Sequence, residues 1–204
     1  FSVDRRVLIP RPSTETILEH AIQWLRTYEH DHPLRLADVC TGSGCIAISA
    51  LKSLPEATCV ATDLSTDALD VARANAQRHE VTDRIELLAG DLDAPLDGRD
   101  PFDLIMSNPP YIPDGEWTDV APNVRDHEPE MALRAGETGL DFVAPLFERL
   151  PARLRPGGRL SVEIAAATAE EALALARDHP RLRDAEILED LDGLPRVVTA
   201  LRRL

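Results

Sequence analysis

The sequence predicts an α/β fold: a doubly wound, mostly parallel, seven-stranded sheet that ends in a C-terminal antiparallel hairpin. Three observations lead to it. Short apolar runs alternate with segments of helical spacing, the pattern of right-handed βαβ units. A glycine turn, "TGSG" at Thr41–Gly44, joins the first apolar run to a helical one. The last two runs, "AEILEDL" and "RVVTALRRL", are separated only by "DGLP" and should therefore pair antiparallel.

The elements follow in order. Phe1 to Leu8 alternates loosely until "IPRPST" breaks the pattern, which gives an extended arm. Thr14 to Glu29 places Ile17, Leu18, Ala21, Ile22 and Leu25 at helical spacing. Residues 1–33 thus read as an arm and a helix, and residues 34–204 as the sheet domain. Leu34–Cys40 is the first strand, "CIAISALKSL" a helix, and Ala57–Asp63 the second strand. Ser65 caps a helix that runs to about His79, with Asp67 in its first turn. "RIELLAGD" and "FDLIMS" are strands three and four, and Asp114 to Glu137 is irregular and polar. "GLDFVAPLFERLPARL" is helical with a breaker at Pro151, "PGG" turns the chain, and "RLSVEIA" is the fifth strand. "TAEEALALARDH" is helical.

Composition narrows the function classes. With 204 residues, 44% of them hydrophobic, the chain can bury one substantial core. No apolar run nears the roughly 20 residues of a membrane span. The net charge is −14 and Lys52 is the only lysine, so the basic stripe of a nucleic-acid binder is missing. Cys40, Cys45 and Cys59 form neither a disulfide framework nor a metal spacing, which points to the cytoplasm and to no metal.

Chemistry concentrates at the ends of strands, where doubly wound sheets bind ligands. Gly42 and Gly44 let a ligand approach the backbone at a helix N-terminus. Gly42 to Ala47 even fits the G-x-G-x-x-A fingerprint of nucleotide binders. Asp63 ends the next strand, where a carboxylate can accept both ribose hydroxyls of a nucleoside. Asp91, at the end of "LLAGD", suits an adenine edge or a plain loop cap.

"SNPPYIP" (Ser107–Pro113) follows strand four. Its prolines fix φ and hold Asn108 extended. A planar NH₂ is a poor nucleophile because its lone pair is conjugated, as the barrier of about 18–20 kcal/mol to amide rotation shows. An enzyme that methylates such a nitrogen must hold its N–H groups with acceptors and aim it at the methyl donor. Asn108 and the Pro109 carbonyl are two such acceptors, stiffened by Pro110, and Tyr111 offers a flat face. Positioning of this kind contributes up to about 7–11 kcal/mol. A nicotinamide cofactor would leave this loop without a purpose, so S-adenosylmethionine, with S-adenosylhomocysteine as its product, is the expected cofactor.

D-x-x-T-G-S-G, a strand-end Asp and N-P-P-Y together resemble the class I, Rossmann-like S-adenosylmethionine-dependent methyltransferases that act on amide or exocyclic nitrogen. "FSVDRRVLIPRPSTE", "VRDHEPEMAL", "GETGLDF" and "DLDGLPRVV" narrow the resemblance to the HemK/PrmC family of protein-glutamine N-methyltransferases. The likeness runs almost end to end. It implies that Cys40, Thr41, Gly42, Ser43, Gly44, Asp63, Leu92 and Asn108 line the cofactor, and that Asn108 to Tyr111 hold the substrate glutamine. The implied substrate is the GGQ glutamine of peptide-chain release factors; a ribosomal large-subunit protein is the alternative. Adenine-N6 methylation of nucleic acid and a non-catalytic cofactor-binding module are further alternatives. The resemblance begins after the helical N-terminal domain of such proteins, so a monomeric catalytic domain without that domain is expected. Three positions depart from the family pattern. Cys40 stands where a glycine is common, and Ala165 and Thr168 replace the glycine and glutamine that often follow the fifth strand.

Other polar clusters carry less. His30 and His32 read as a solvated helix end. The resemblance implies that "HEP" at His127–Pro129 shapes the substrate groove; acid–base work by His127 and Glu128 is the lesser alternative. Arg11 and Glu15 should either order the arm over the cofactor or pair with each other.

Overall fold

The computed structural model describes residues 1–204. The arm passes through a 3-10 turn at Pro12–Thr14 into α1 (Glu15–Leu25), β1 (Arg35–Val39), α2 (Cys45–Ser53) and β2 (Thr58–Asp63). Next come α3 (Thr66–Arg78), β3 (Ile85–Ala89), β4 (Phe102–Ser107) and the single turn α4 (Pro122–Arg125). α5 (Val143–Arg149), β5 (Leu154–Glu163), α6 (Ala169–Asp178), β6 (Leu182–Glu189) and β7 (Pro195–Arg202) complete the chain. The seven strands lie in the order β3-β2-β1-β4-β5-β7-β6. β1 to β5 are mutually parallel, and β7 runs antiparallel between β5 and β6. The sequence predicts this sheet and its final hairpin.

Strand alternation builds two cores. Ala37, Val39, Ile105, Leu160 and Val162 point to one face, where α5 and α6 cover them. Leu36, Cys59, Ala61, Leu104 and Met106 point to the other, where they meet α1 and α2. Each large aliphatic side chain buried this way contributes about 1.5–3 kcal/mol. α1 gives Ile17, Ala21 and Leu25 to the same core as α2, so the first helix packs as part of the sheet domain.

Several boundaries differ from expectation. α1 stops at Leu25, and the Thr27 hydroxyl turns back to donate to the Trp24 carbonyl at 2.8 Å. "PGG" lies inside β5, as a bulge between the pairs Phe102–Leu154 and Leu104–Arg159. Glycine is required there. Gly157 has φ +80°, and a Cβ on Gly158 would lie 2.8 Å from the Asp103 carbonyl. β6 starts at Leu182, ahead of the expected Ala185, because Leu182 is fully buried. His32 is not a free helix-end residue: its Nε2 lies 2.8 Å from an oxygen of buried Asp103, which raises the imidazole pKa. That cluster sits at the start of β4, at the opposite end of the strand from Asn108.

The sheet reverses direction of growth between β1 and β4, and a crevice opens beyond their carboxyl ends. Ser107 closes β4 by donating its hydroxyl to the Val39 carbonyl of β1 at 2.7 Å. The loops that carry the expected site therefore leave the sheet from a braced pair of strand ends.

Candidate active site

A cavity of about 210 Å³ lies over these strand ends. Cys40 to Ser43 reach it from β1, Asp63 from β2, Asp91 and Leu92 from β3, and Asn108 and Pro110 from β4. The arm roofs it with Val7, Leu8 and Thr14.

Buried Asp38, on β1, organises the glycine turn. Its Oδ2 accepts from the Thr41 hydroxyl at 2.6 Å and from the Ala47 N–H at 3.1 Å, joining the turn to the first turn of α2. Burial pushes its carboxyl up to about 7, against those hydrogen bonds. Gly42 has φ +54°, and nothing stands within 4 Å of where a Cβ would be, so its backbone faces open space. Gly44 has φ +79° and approaches α3; a Cβ there would lie 3.2 Å from that of Ala72. Cys40 also occupies the left-handed region, with φ +62°. Glycine would adopt this backbone without strain, and cysteine bears it at a cost of order 1 kcal/mol.

Asp63 binds two loops. Its Oδ2 accepts from the Gly42 N–H at 2.8 Å and its Oδ1 from the Ser65 N–H at 2.9 Å. Each oxygen keeps a further lone pair for a ligand. Burial raises its pKa, and these N–H groups oppose the rise. Ser65 then caps α3 by accepting from the Ala68 N–H at 3.1 Å, as its sequence position predicts. Asp91 is exposed at the rim. Leu92, with φ +44°, turns its carbonyl to accept from the Thr62 hydroxyl at 3.1 Å.

Asn108 donates its Nδ2 to Thr14 Oγ1 at 3.2 Å, while its Oδ1 is buried with no protein partner. Orphaned buried acceptors are rare, and they mark places where another molecule is expected. No backbone N–H is donated to the Pro109 carbonyl. Pro109 and Tyr111 flank the lining residues Asn108 and Pro110 without lining the cavity themselves. Tyr111 is half-buried, with its hydroxyl 3.4 Å from Glu163 Oε1, and burial raises its pKa to about 12.

The loop after this motif folds back. Ile112 and Leu133–Ala135 exchange two backbone hydrogen bonds of 2.8 Å. Glu128 from "HEP" is buried and accepts from the Ile9 N–H at 3.1 Å and from Arg11 at 2.6 Å. Arg11 therefore pairs with Glu128 and not with Glu15. The arm is held over the cavity by this ion pair and by Val7, which packs on Ala68 and Val71 of α3.

Sequence reasoning passed over Thr14, Asp38 and Glu163 as site residues and placed Glu128, within "HEP", only in the substrate groove. Asp38 was visible as the first residue of D-x-x-T-G-S-G. The other three become neighbours of the site only through packing of the arm and of β5.

Residues 20–126 match the Methyltransferase small domain family. The chain is 42% identical to a protein named release factor glutamine methyltransferase from Chlorobaculum tepidum, over 98% of this chain and 69% of that one. It is 40% identical to a protein of the same name from Bradyrhizobium diazoefficiens, over 98% of this chain and 67% of that one. The fold resembles a crystal structure of a methyltransferase from Pyrococcus furiosus, with TM-score 0.68 and 15% identity, over all of this chain and 88% of that one. The chain belongs to the release factor glutamine methyltransferases, within the Methyltransferase small domain family.

Proposed function

We propose that this chain transfers a methyl group from S-adenosylmethionine to the side-chain amide nitrogen of a glutamine in a peptide-chain release factor. One observation carries the reading. Asn108, whose buried Oδ1 has no protein partner, lines the same cavity as Asp63 and the glycine turn.

The residues present suit the cofactor. Gly42 leaves open space where a side chain would intrude, and Asp63 offers two braced carboxylate oxygens. Cys40 to Gly44 and Asp63 would hold the amino acid and ribose, and Asp91 and Leu92 the adenine. Bound there, S-adenosylmethionine would supply an electrophilic methyl group on a sulfonium centre. Asn108 Oδ1 and the Pro109 carbonyl would accept the two N–H groups of the substrate amide, fixing the direction of its nitrogen. Pro110 keeps that loop stiff, and Tyr111 backs it. The amide needs no strong base beforehand, because its proton becomes acidic only as the nitrogen gains positive character.

On this reading residues 34–204 form the catalytic unit, with residues 1–33 as its arm and first helix. The stretch from Asn123 to Leu133 borders the substrate groove, and the protein acts as a monomer in the cytoplasm. The test is incubation with labelled S-adenosylmethionine and, separately, a release factor, a large-subunit ribosomal protein and adenine-containing DNA, followed by mass mapping. Label on one glutamine of the release factor is expected. Label on the ribosomal protein or on adenine instead would overturn the assignment of substrate. Cofactor binding without any transfer would reduce the chain to a binding module.

A further inference from the structure

Glu163, the last residue of β5, is fully buried beside the Asn108 loop. No cation is dedicated to it. Arg196 of β7 attracts it but is held by Asp190 at 3.1 Å. Arg11, which lies near Tyr111, is held by Glu128. Cys45, at the start of α2, is a neutral thiol whose pKa burial raises. The groups that do face the carboxyl are the hydroxyls of Thr14 and Tyr111 and the Asn108 amide. Its Oε2 has no hydrogen-bond partner in the protein. Burial is the largest influence and pushes the carboxyl up to about 7, although Thr14, Arg196, Tyr111 and Asn108 all hold it down.

A primary amide can turn by half a rotation with almost no change of shape, exchanging an acceptor for a donor. Something must therefore decide which end of Asn108 meets the substrate. The Asn108 Nδ2 donates to Thr14 Oγ1 at 3.2 Å, the Glu163 carboxyl faces both groups, and a hydroxyl has a single hydrogen to give. The ionised form of Glu163 favours Thr14 turning that hydrogen toward it, and equally favours the Asn108 Nδ2 on its side. The lone pairs of Thr14 then face Asn108, which must present Nδ2 to them and leave Oδ1 for the cavity. When the carboxyl is protonated, Thr14 is free to donate to Asn108 instead. The amide can then turn its NH₂ outward, donor against the donors of the substrate. Tyr111, whose hydroxyl meets the same carboxylate, is anchored by it as well.

We propose that Glu163, acting through Thr14 and Tyr111, is a positioning residue that fixes the Asn108 amide with its oxygen toward the substrate. The proposal rests on the reading of Asn108 as an acceptor for the glutamine amide.

The test uses Glu163→Gln, Thr14→Val and Thr14→Ser, with two readouts. The first is NMR of the Asn108 side-chain amide, assigned by its loss in Asn108→Asp and followed against pH without substrate. It should titrate near pH 7 in the wild type and be insensitive to pH in Glu163→Gln and Thr14→Val. The second is single-turnover methylation of the release factor. Glu163→Gln and Thr14→Val should each lower the rate about tenfold or more. Their combination should be no worse than the poorer single variant, because both break one relay. Thr14→Ser should stay within about threefold of wild type, and S-adenosylhomocysteine affinity should change less than about threefold throughout. The wild-type rate should fall as pH drops through about 7, and Glu163→Gln should lose that dependence. Persistence of the Asn108 titration in Glu163→Gln, or additive losses in the double variant, would overturn the proposal. Because the NMR readout needs no methylation, an inactive wild type with an intact titration would refute the proposed function and leave the positioning role standing.

Discussion

Replacing Asp63 separates its two duties, which are to brace the loops and to accept a nucleoside. Asp63→Asn keeps the shape but exchanges one acceptor oxygen for an NH₂ donor. Because Gly42 N–H reaches Oδ2 at 2.8 Å and Ser65 N–H reaches Oδ1 at 2.9 Å, one backbone donor must then face another donor. A hydrogen bond to a charged group contributes about 1.5–3 kcal/mol, and a buried donor left unpaired costs about 1–3 kcal/mol. Stability should fall by about 1–3 kcal/mol, which lowers Tm by roughly 2–12 °C in a chain of this size. One ribose hydroxyl also loses its charged acceptor, so the Kd for S-adenosylhomocysteine should rise about 10- to 150-fold. Asp63→Ala removes both acceptors and should weaken binding further. Calorimetric titration at a temperature where both variants remain folded, with thermal unfolding recorded separately, distinguishes the two effects. A Kd within threefold of wild type in Asp63→Ala would refute the reasoning, since no other carboxylate is braced at that strand end.

Asn108→Ala should lower single-turnover methylation by at least about 10²–10³ while cofactor affinity changes little, because the acceptor matters most as the nitrogen becomes positive. Asn108→Asp keeps an acceptor and should retain more activity than alanine; the opposite order in a side-by-side rate measurement would contradict the acceptor role. Glu128→Gln should release the arm by weakening its contacts to Arg11 and the Ile9 N–H, and proteolysis between Phe1 and Thr14 should speed up measurably. Unchanged cleavage would mean that the contacts of Val7 and Ser2 with α3 hold the arm without that pair. Asp38 binds its proton more tightly in the folded state than in the unfolded chain, at about 7 against the usual 3.8. Between those values the native state carries the extra proton, so its contribution to stability is greatest at low pH and is lost as pH rises toward 7. The interval corresponds to at most about 4 kcal/mol. Urea unfolding of Asp38→Asn should therefore show a flatter pH dependence from pH 4 to 8 than wild type, and equal slopes would refute the assignment.

Much of this protein could be read from its order of residues. Apolar runs such as "RLADV" and "FDLIM" are buried on both sheet faces, and their β-rich pattern, bounded by prolines and the glycine turn, is local. The same is true of the Ser65 cap, the glycine turn and the proline lock after Asn108, where neighbouring residues alone set the backbone. Chemical type at strand ends was enough to single out Asp63 and Asn108, which the fold brings to one cavity. What local pattern could not reveal was which distant groups meet them. Arg11 lies four residues from Glu15, but packing delivers it to Glu128, 117 positions away. Glu163 reads as one more strand residue until β5 docks beside β4 and buries its carboxylate against Thr14 and Tyr111. Hydrogen-bond partners, burial and pKa depend on what packing places nearby and on the water it removes. The sequence therefore determined the scaffold and the chemical groups of the site, and the tertiary structure decided how those groups are oriented and charged.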